Sequence, residues 1–226
     1  MQLKRRTLLS GLAASAAVPF MSAVQAKQAD ADTKWDKETD VLVIGYGGAG
    51  ACAAIEAHDN GSKVLIIEKM AQPGGNTAIS SGGFMVPQDG PTALKYLTAT
   101  YDLANSEKDD ELLNTFCKEI MGVKDWMTGL KEGTELWVYG HAGFQNLPGW
   151  EVIDKYRVRG KKRSGDCLFD LYRYAVEEKR NIPVMLETPA VQLIQKDGQV
   201  VGAVASNNGK NINIKVNKAV ILTTGG

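Results

Sequence analysis

Three closely spaced glycines are the residues of this sequence whose type and spacing could do chemistry. Gly45, Gly47 and Gly50 follow an apolar run at 41–44 and precede an alanine-rich segment at 51–60. In a strand–turn–helix unit, the first glycine permits the turn, the second lets a pyrophosphate approach, and the third lets the helix pack on the strand. Phosphates would lie at the helix N-terminus, where free N–H groups and the helix dipole favour anions. The motif therefore predicts a dinucleotide site.

An acidic residue stands where the ribose of such a dinucleotide would lie. A second apolar run, at 64–67, is followed by Glu68, which comes 23 residues after Gly45. A carboxylate at this point can accept hydrogen bonds from both ribose hydroxyls and would repel a 2′-phosphate. The alternative, a glycine-rich turn without a ligand, does not explain the acid.

A second glycine-rich segment, 72–84, follows the ribose-binding strand directly. Two Gly-Gly pairs, at 74–75 and 82–83, flank a run of small hydroxyl and amide residues. Such a segment can lie along an extended ligand and offer N–H and hydroxyl donors to it. The alternative is a surface loop of small residues. Its place directly after Glu68 favours the ligand-binding interpretation.

The composition is that of an ordinary globular protein. Of the residues, 44% are hydrophobic and 23% are charged. The length of 226 residues is enough for one domain or one and a half. Basic and acidic residues both number 26, so no charge excess indicates nucleic acid as a partner. The three cysteines are widely spaced and form neither CxxC nor CxxCH, which excludes a zinc-ribbon pattern and an attached c-type haem.

The first 26 residues are predicted to be an export signal. The pair Arg5 and Arg6 precedes a mildly apolar stretch, and small residues at 24 and 26 suit cleavage before Lys27. This pattern is typical of a bacterial twin-arginine signal and predicts a periplasmic location. The alternatives are an ordinary secretory signal and an uncleaved anchor, although the stretch is short and weakly apolar for a membrane span. Residues 27–39 are predicted to form a flexible lead-in.

Residues 91–180 are predicted to be an inserted, mainly helical segment. Apolar spacing predicts helices at 92–105, 109–130 and 166–180, whereas residues 131–165 have no regular period. His141, in a glycine-flanked loop, is expected to be a surface histidine, with a catalytic role as the alternative. The basic run 157–163 is expected to be a solvated face, with attraction of an anionic substrate or of cofactor phosphates as the alternative.

Short strands follow in quick succession towards the end of the sequence. Asp-Gly at 197–198 and Asn-Gly at 208–209 are hairpin turns between alternating apolar runs. The predicted fold class is α/β, a Rossmann-like domain with a parallel sheet and a C-terminal β-hairpin or meander. The predicted strands after the helical segment are 184–187, 191–195, 200–205, 212–216 and 219–223.

Four motifs in a fixed order carry a resemblance to a known family. They are the glycine turn with Glu68, Gly-Gly-Asn-Thr at 74–77, Ser-Gly-Gly at 81–83, and Val-Ile-Leu-Thr-Thr-Gly-Gly at 220–226. This order resembles the FAD-binding domain of the fumarate reductase/succinate dehydrogenase flavoprotein family, a group that includes 3-oxosteroid dehydrogenases and urocanate-type reductases. The resemblance extends over about residues 38–226, so the domain is placed at 40–226.

The resemblance implies FAD and a set of residues that hold it. The diphosphate would lie on the first glycine turn, the ribose on Glu68, the ribityl and isoalloxazine groups along 76–83, and the adenine near Val191. Family members that bind FAD covalently use a histidine in the small-residue loop, which this chain lacks, so non-covalent FAD is expected. The implied cofactor-binding residues are Gly45, Gly47, Gly48, Ala49, Gly50, Glu68, Lys69, Gly75, Asn76, Thr77, Ser81, Gly82, Gly83, Val191, Thr224 and Gly225.

The resemblance also implies an activity, a hydride transfer between the flavin and an activated C=C bond. In fumarate reductases the capping domain and the residues that bind dicarboxylate follow the second glycine turn, so this chain is expected to be truncated and inactive alone. No catalytic residue and no metal site are predicted. The implied partners are a small-molecule substrate and a separate electron-donor protein. The alternatives are a 3-oxosteroid dehydrogenase, which the apolar end of 81–87 favours slightly, and a non-catalytic FAD-binding chain.

Overall fold

The computed structural model describes residues 27–29 and 33–225. They form a seven-stranded sheet with helices on it, and a separate three-stranded sheet. The strands are β1 (Lys27–Gln28), β2 (Lys37–Ile44), β3 (Val64–Ile67), β4 (Phe84–Pro87), β5 (Leu136–His141), β6 (Ile153–Val158), β7 (Val184–Met185), β8 (Ala190–Lys196), β9 (Gln199–Asn207) and β10 (Lys210–Leu222). The α-helices are α1 (Gly48–Asp59), α2 (Gly75–Ile79), α3 (Gly90–Leu103), α4 (Asp110–Glu119), α5 (Val123–Gly129) and α6 (Ser164–Arg173).

The larger sheet has the order β1-β8-β9-β10-β2-β3-β7. At its centre, β2 pairs in parallel with both β10 and β3, and β3 pairs in parallel with β7. On the other side, β8, β9 and β10 form an antiparallel meander. The predicted α/β class, with parallel strands and a C-terminal meander, is confirmed, and the sheet as a whole is mixed.

The central strand β2 is buried on both faces, which explains its continuous apolar run. Val41 and Val43 pack in the same cluster as Ile55 of α1. Leu42 and Ile44 belong to a second cluster on the opposite face, with side chains from β9 and β10. Because successive side chains of a strand point to opposite faces, a strand between two cores needs apolar residues at every position. The strand that the run 41–44 predicted is present, but in the structure it begins earlier, at Lys37.

The smaller sheet corrects the expectation for residues 91–180. Strand β6 lies between β4 and β5 and pairs antiparallel with both. Two of these strands, β5 and β6, fall within the segment 131–165, for which no regular structure was predicted. The segment is therefore part helix and part sheet.

The predicted helices are present, but two of them are interrupted. The helix expected at 109–130 is divided into α4, a 3₁₀ turn at Ile120–Gly122, and α5, where Gly122 lowers the helix propensity. The helix expected at 166–180 begins at Ser164 and continues after Arg173 as a π-helical turn, Tyr174–Glu178. The two strands expected at 212–216 and 219–223 are one strand, β10, with an irregularity between Val216 and Ala219.

The expectation of a flexible lead-in is corrected for the part of 27–39 that the structure describes. Lys27 and Gln28 pair in parallel with β8 at the edge of the larger sheet. The N–H of Asp36 donates to the carbonyl oxygen of Asn213 at 2.9 Å, and β2 begins at the next residue. The predicted export signal, residues 1–26, lies outside the described residues.

No helix within the described ranges is long and apolar enough to cross a membrane. The three cysteines are free, with Cys117 and Cys167 buried and Cys52 half-buried.

Candidate functional site

The turn between β2 and α1 requires two of its glycines for internal packing. Gly45 has φ of +106°, and a Cβ there would lie 2.6 Å from the carbonyl oxygen of Thr223. A Cβ on Gly50 would collide with the carbonyl oxygen of Gly45. Both positions therefore exclude a side chain whether or not a ligand is bound.

Gly47 differs because its missing side chain leaves open space. A Cβ there would meet nothing closer than 3.6 Å, the carbonyl oxygen of Gly74. Gly47 is the N-cap residue of the 12-residue helix α1, and the first N–H groups of a helix have no partner within it. The turn thus presents a small cradle at a positive helix end, which a side chain would fill and an anionic diphosphate fits.

The second glycine-rich segment lies directly against this turn. The N–H of Gly48 donates to the hydroxyl of Thr77 at 2.9 Å, and the N–H of Gly74 donates to the carbonyl oxygen of Tyr46 at 2.7 Å. Gly47 and Gly74 form an isolated parallel bridge. Two motifs that the sequence separates thus form one continuous surface.

Glu68 follows β3 and is held by two backbone N–H groups. Its Oε2 accepts from Tyr46 at 2.7 Å and its Oε1 accepts from Met70 at 2.8 Å. A carboxylate has about four acceptor positions, so one on each oxygen remains for a diol such as a ribose. The neighbouring Lys69 is exposed.

The other end of the glycine-rich segment reaches the smaller sheet. Gly82 is buried with φ of +65°, and a Cβ there would collide with the backbone of Ser164. Gly83 is exposed, and a Cβ there would collide with the hydroxyl of Tyr139 in β5. Ser81 and Asn76 are exposed on the same segment, as is Gly75 in α2. Gly82 is thus a packing glycine, whereas Gly83 lies at the surface beside an aromatic hydroxyl.

The end of β10 supports the glycine turn through a residue that sequence reasoning missed. The hydroxyl of Thr223 lies 3.0 Å from the carbonyl oxygens of both Ile44 and Gly45, so it can donate to either. Thr224 and Gly225, which the sequence selected instead, are exposed. The sequence shows two adjacent threonines, 223 and 224. Only the pairing of β10 with β2 shows that the first of them contacts the glycine turn.

Val191 lies on β8, whose start is linked to Glu68. Its side chain is 49% exposed, which is high for a valine. Three residues earlier, the N–H of Thr188 donates to the carbonyl oxygen of Glu68 at 2.7 Å. The start of β8 is thereby placed beside the acid, and the exposed valine offers an apolar surface there.

His141 is more constrained than a surface histidine. Its side chain is 44% exposed, but Nδ1 lies 3.1 Å from Oδ1 of Asp154, which is buried. The other oxygen, Oδ2, accepts from Gln88 and from the hydroxyl of Tyr156, both at 3.3 Å. The imidazole also packs edge-on against Trp150. The network orients the imidazole of His141 at the end of β5.

A family model described as the FAD binding domain matches residues 40–226. The chain belongs to this family. The chain is 32% identical to the acrylate reductase flavoprotein subunit of Shewanella woodyi, over 99% of this chain and 46% of the relative. It is 32% identical to a fumarate reductase (cytochrome) of Shewanella frigidimarina, over 83% of this chain and 33% of the relative. A solved flavocytochrome c3 fumarate reductase in an open conformation matches at 26% identity with a TM-score of 0.71, over 85% of this chain and 34% of that one.

The cofactor of the chain is FAD, as the motifs predicted. The open cradle at Gly47, the free N–H groups of α1 and the remaining acceptor positions of Glu68 suit a diphosphate joined to a ribose. The family resemblance stated from the sequence is likewise confirmed, and the chain is an FAD-binding domain of flavoprotein oxidoreductases. The chain spans less than half the length of the relatives it matches.

Proposed function

We propose that this chain is the FAD-binding part of an exported reductase that acts on a C=C bond conjugated with a carboxylate. The observation that carries the proposal is the 32% identity to an acrylate reductase flavoprotein subunit over 99% of this chain. The fumarate reductase relative supports it, because fumarate and acrylate share an unsaturated bond next to a carboxylate. FAD, when bound, supplies the hydride chemistry of such a reaction.

The chain's own residues bind and orient this cofactor without a covalent bond. Gly47, Gly48, Ala49 and Gly50 would hold the diphosphate, with the N–H groups of Ala49 and Gly50 available at the start of α1, since that of Gly48 donates to Thr77. The ribose lies on Glu68, and the adenine near Val191. Support comes from the open space at Gly47 and from the half-buried position of the Glu68 carboxylate.

The flavin end lies along residues 76–83, beside the smaller sheet. The exposed backbone of Gly83 and the side chains of Asn76 and Ser81 are available to the ribityl chain and the ring edge. No histidine occurs in this segment, which supports non-covalent binding. Thr224 and Gly225 lie at the end of the strand that supports the glycine turn and complete the nucleotide side of the site.

Export to the periplasm is the second part of the proposal. It rests on the arginine pair at 5–6 and on the cleavage-site residues before Lys27. A protein exported in the folded state can take up its flavin before it crosses the membrane. An electron-donor protein would then reduce the flavin outside the cytoplasm.

The test is anaerobic turnover by the native flavoprotein that contains this sequence, with a reduced viologen as electron donor. We expect oxidation of the viologen with acrylate or fumarate, and none with the saturated acids propionate and succinate. A steroid ene-one serves as the competing substrate. Turnover with the steroid but with neither unsaturated acid would overturn the proposal in favour of a 3-oxosteroid dehydrogenase.

A further inference from the structure

An arginine of the smaller sheet lies next to the flavin end of the glycine-rich segment. Phe84 of β4 lies opposite Tyr156 of β6, and the same antiparallel register carries Gly83 alongside Arg157. On the other side of β6, Trp137 lies opposite Arg157, and the register then shifts between Val138 and Gly140. Tyr139 is the extra residue at this shift. The bulge re-aims its side chain, which extends across to Gly83.

Tyr139 and Arg157 form one stacked unit at this place. The Cζ of Arg157 lies 3.9 Å from the centroid of the Tyr139 ring. The hydroxyl of Tyr139 lies where a Cβ on Gly83 would be. A guanidinium stacked on an aromatic ring keeps the N–H groups at its edge available. A carboxylate can accept two hydrogen bonds from that edge.

The charge of Arg157 is not compensated within the part of the chain that the structure describes. Of the cations in the basic run 157–163, three form ion pairs: Arg159 with Glu135 at 3.2 Å, Lys162 with Asp170 at 2.6 Å, and Arg163 with Asp166 at 2.9 Å. Arg157 has no such partner among the described residues, and its Nε is buried without a hydrogen bond. A buried N–H of a cation costs free energy unless an acceptor reaches it.

We infer that Tyr139 and Arg157 are a specificity-determining pair that binds the carboxylate of the substrate beside the flavin. The inference deepens the proposed function and rests on it for the identity of the substrate. Arg157 donates to the carboxylate oxygens and the Tyr139 hydroxyl adds a third donor, so that the C=C bond is directed towards Gly83. The solvated face predicted for 157–163 then holds for the paired Arg159, Lys162 and Arg163 and for the exposed Lys161. Arg157 is the exception, because it is half-buried and unpaired among the described residues.

The test compares variants of the native FAD-loaded flavoprotein. Arg157→Gln removes the charge, Arg157→Lys keeps it without the planar fork, and Tyr139→Phe removes only the hydroxyl. The matched control is Arg159→Gln. Arg159 directly follows the end of β6, two residues after Arg157, and forms an ion pair with Glu135. Three readouts are taken: the Kd of propionate and succinate from the change in flavin absorbance, kcat/KM for acrylate and for its neutral methyl ester, and the Kd of FAD.

We expect Arg157→Gln to raise the Kd of both saturated acids about 10-fold or more, as for the loss of a charged hydrogen bond. The kcat/KM for acrylate should fall with it, while that for methyl acrylate and the Kd of FAD stay within about threefold. Arg157→Lys should recover part of the loss, and Arg159→Gln should change neither readout.

Three outcomes would overturn the inference. An equal loss for acid and ester would assign Arg157 a structural role, and weaker FAD binding with unchanged carboxylate binding would assign it to the cofactor. Unchanged carboxylate binding alone would leave Arg157 without a role in recognition. A failure of the proposed function is separate, because the parent would then reduce no unsaturated acid while the Kd of propionate still depended on Arg157.

Discussion

The hydroxyl of Thr77 accepts the N–H of Gly48 at 2.9 Å, so one of the free amides of α1 is bound by a side chain of α2. A Cβ on Gly48 would lie 2.7 Å from the same hydroxyl oxygen. The glycine of the first motif and the threonine of the second are therefore fitted to each other. The contact fixes the position of the second glycine-rich segment against the first glycine turn.

The three glycines of the turn should separate into two classes on mutation. Gly47→Val should abolish FAD binding and leave the thermal stability of the FAD-free protein close to that of the parent, because the added atoms enter open space. Gly50→Ala should instead lower the stability by about 1–3 kcal/mol or more, as overpacking against the Gly45 carbonyl oxygen does. Flavin titration and thermal unfolding of the FAD-free variants measure the two effects. Parental flavin affinity in Gly47→Val would place the diphosphate elsewhere.

Replacement of Glu68 by alanine should weaken FAD binding by about one to two powers of ten. The estimate corresponds to about 1.5–3 kcal/mol for hydrogen bonds to a charged group. The variant should also lose stability without FAD, because Glu68 accepts the N–H groups of Tyr46 and Met70. Isothermal titration with FAD and with riboflavin separates the effects, since riboflavin has no adenosine ribose. A loss of equal size for both ligands would refute the ribose contact.

Replacement of both Arg5 and Arg6 by lysine should keep the precursor in the cytoplasm. Twin-arginine transport reads the arginine pair itself, whereas an ordinary secretory signal needs only positive charge. Cell fractionation followed by immunoblotting measures the distribution of the protein. The control is a variant in which Lys4 alone becomes arginine. Periplasmic delivery of the double-lysine variant at the parental level would indicate the general secretory route.

Arg180→Gln should raise the pKa of Asp59. The Arg180 guanidinium donates two hydrogen bonds to the Asp59 carboxylate, at 2.7 and 2.6 Å, and lowers its pKa from the ordinary 3.8 to about 2. A lowered pKa in the folded state contributes stability that is complete above the ordinary pKa and is lost as the pH falls towards the folded value. Titration of the carboxyl carbon by NMR measures the shift.

The stability consequence of the same pair should be small and confined to acid. The Asp59 side chain is 43% exposed, so solvent screens much of the interaction. Parent and Arg180→Gln should therefore converge in stability as the pH falls from about 4 to about 2. Arg163→Gln, which breaks an exposed ion pair with Asp166, is the control and should show a smaller difference. A gap between parent and Arg180→Gln that widened in acid would contradict the assignment.

The local half of this fold could be predicted from the sequence. The turn at Gly45 and the run 41–44 depend on neighbouring residues, so their pattern is complete within one stretch of chain. Strands β5 and β6 were missed because their stability comes from pairing with each other and with β4, and because a glycine in β5 and charged residues in β6 interrupt the apolar alternation. The same limit hid the contact between Tyr139 and Gly83, because only the bulge near Gly140 brings this distant hydroxyl to Gly83.

The residues proposed for the site from the sequence are those whose signal is local. Gly47 and Glu68 carry signals of spacing within one βαβ unit. Thr223 has its role only because β10 pairs with β2 in a register that places Leu222 opposite Ile44. Threonine is common in strands, so its presence in the sequence does not indicate a contact with the glycine turn.

The support that Thr223 gives to Gly45 sets the order in which this protein can acquire its cofactor. The hydroxyl and the carbonyl it binds are 178 residues apart in sequence, and such non-local pairings slow folding because a long loop must close first. A ribosome-bound chain that has not yet released residue 223 lacks this brace on the phosphate turn. FAD capture is therefore expected after synthesis of the domain is complete, and nascent chains arrested before residue 210 should retain no flavin.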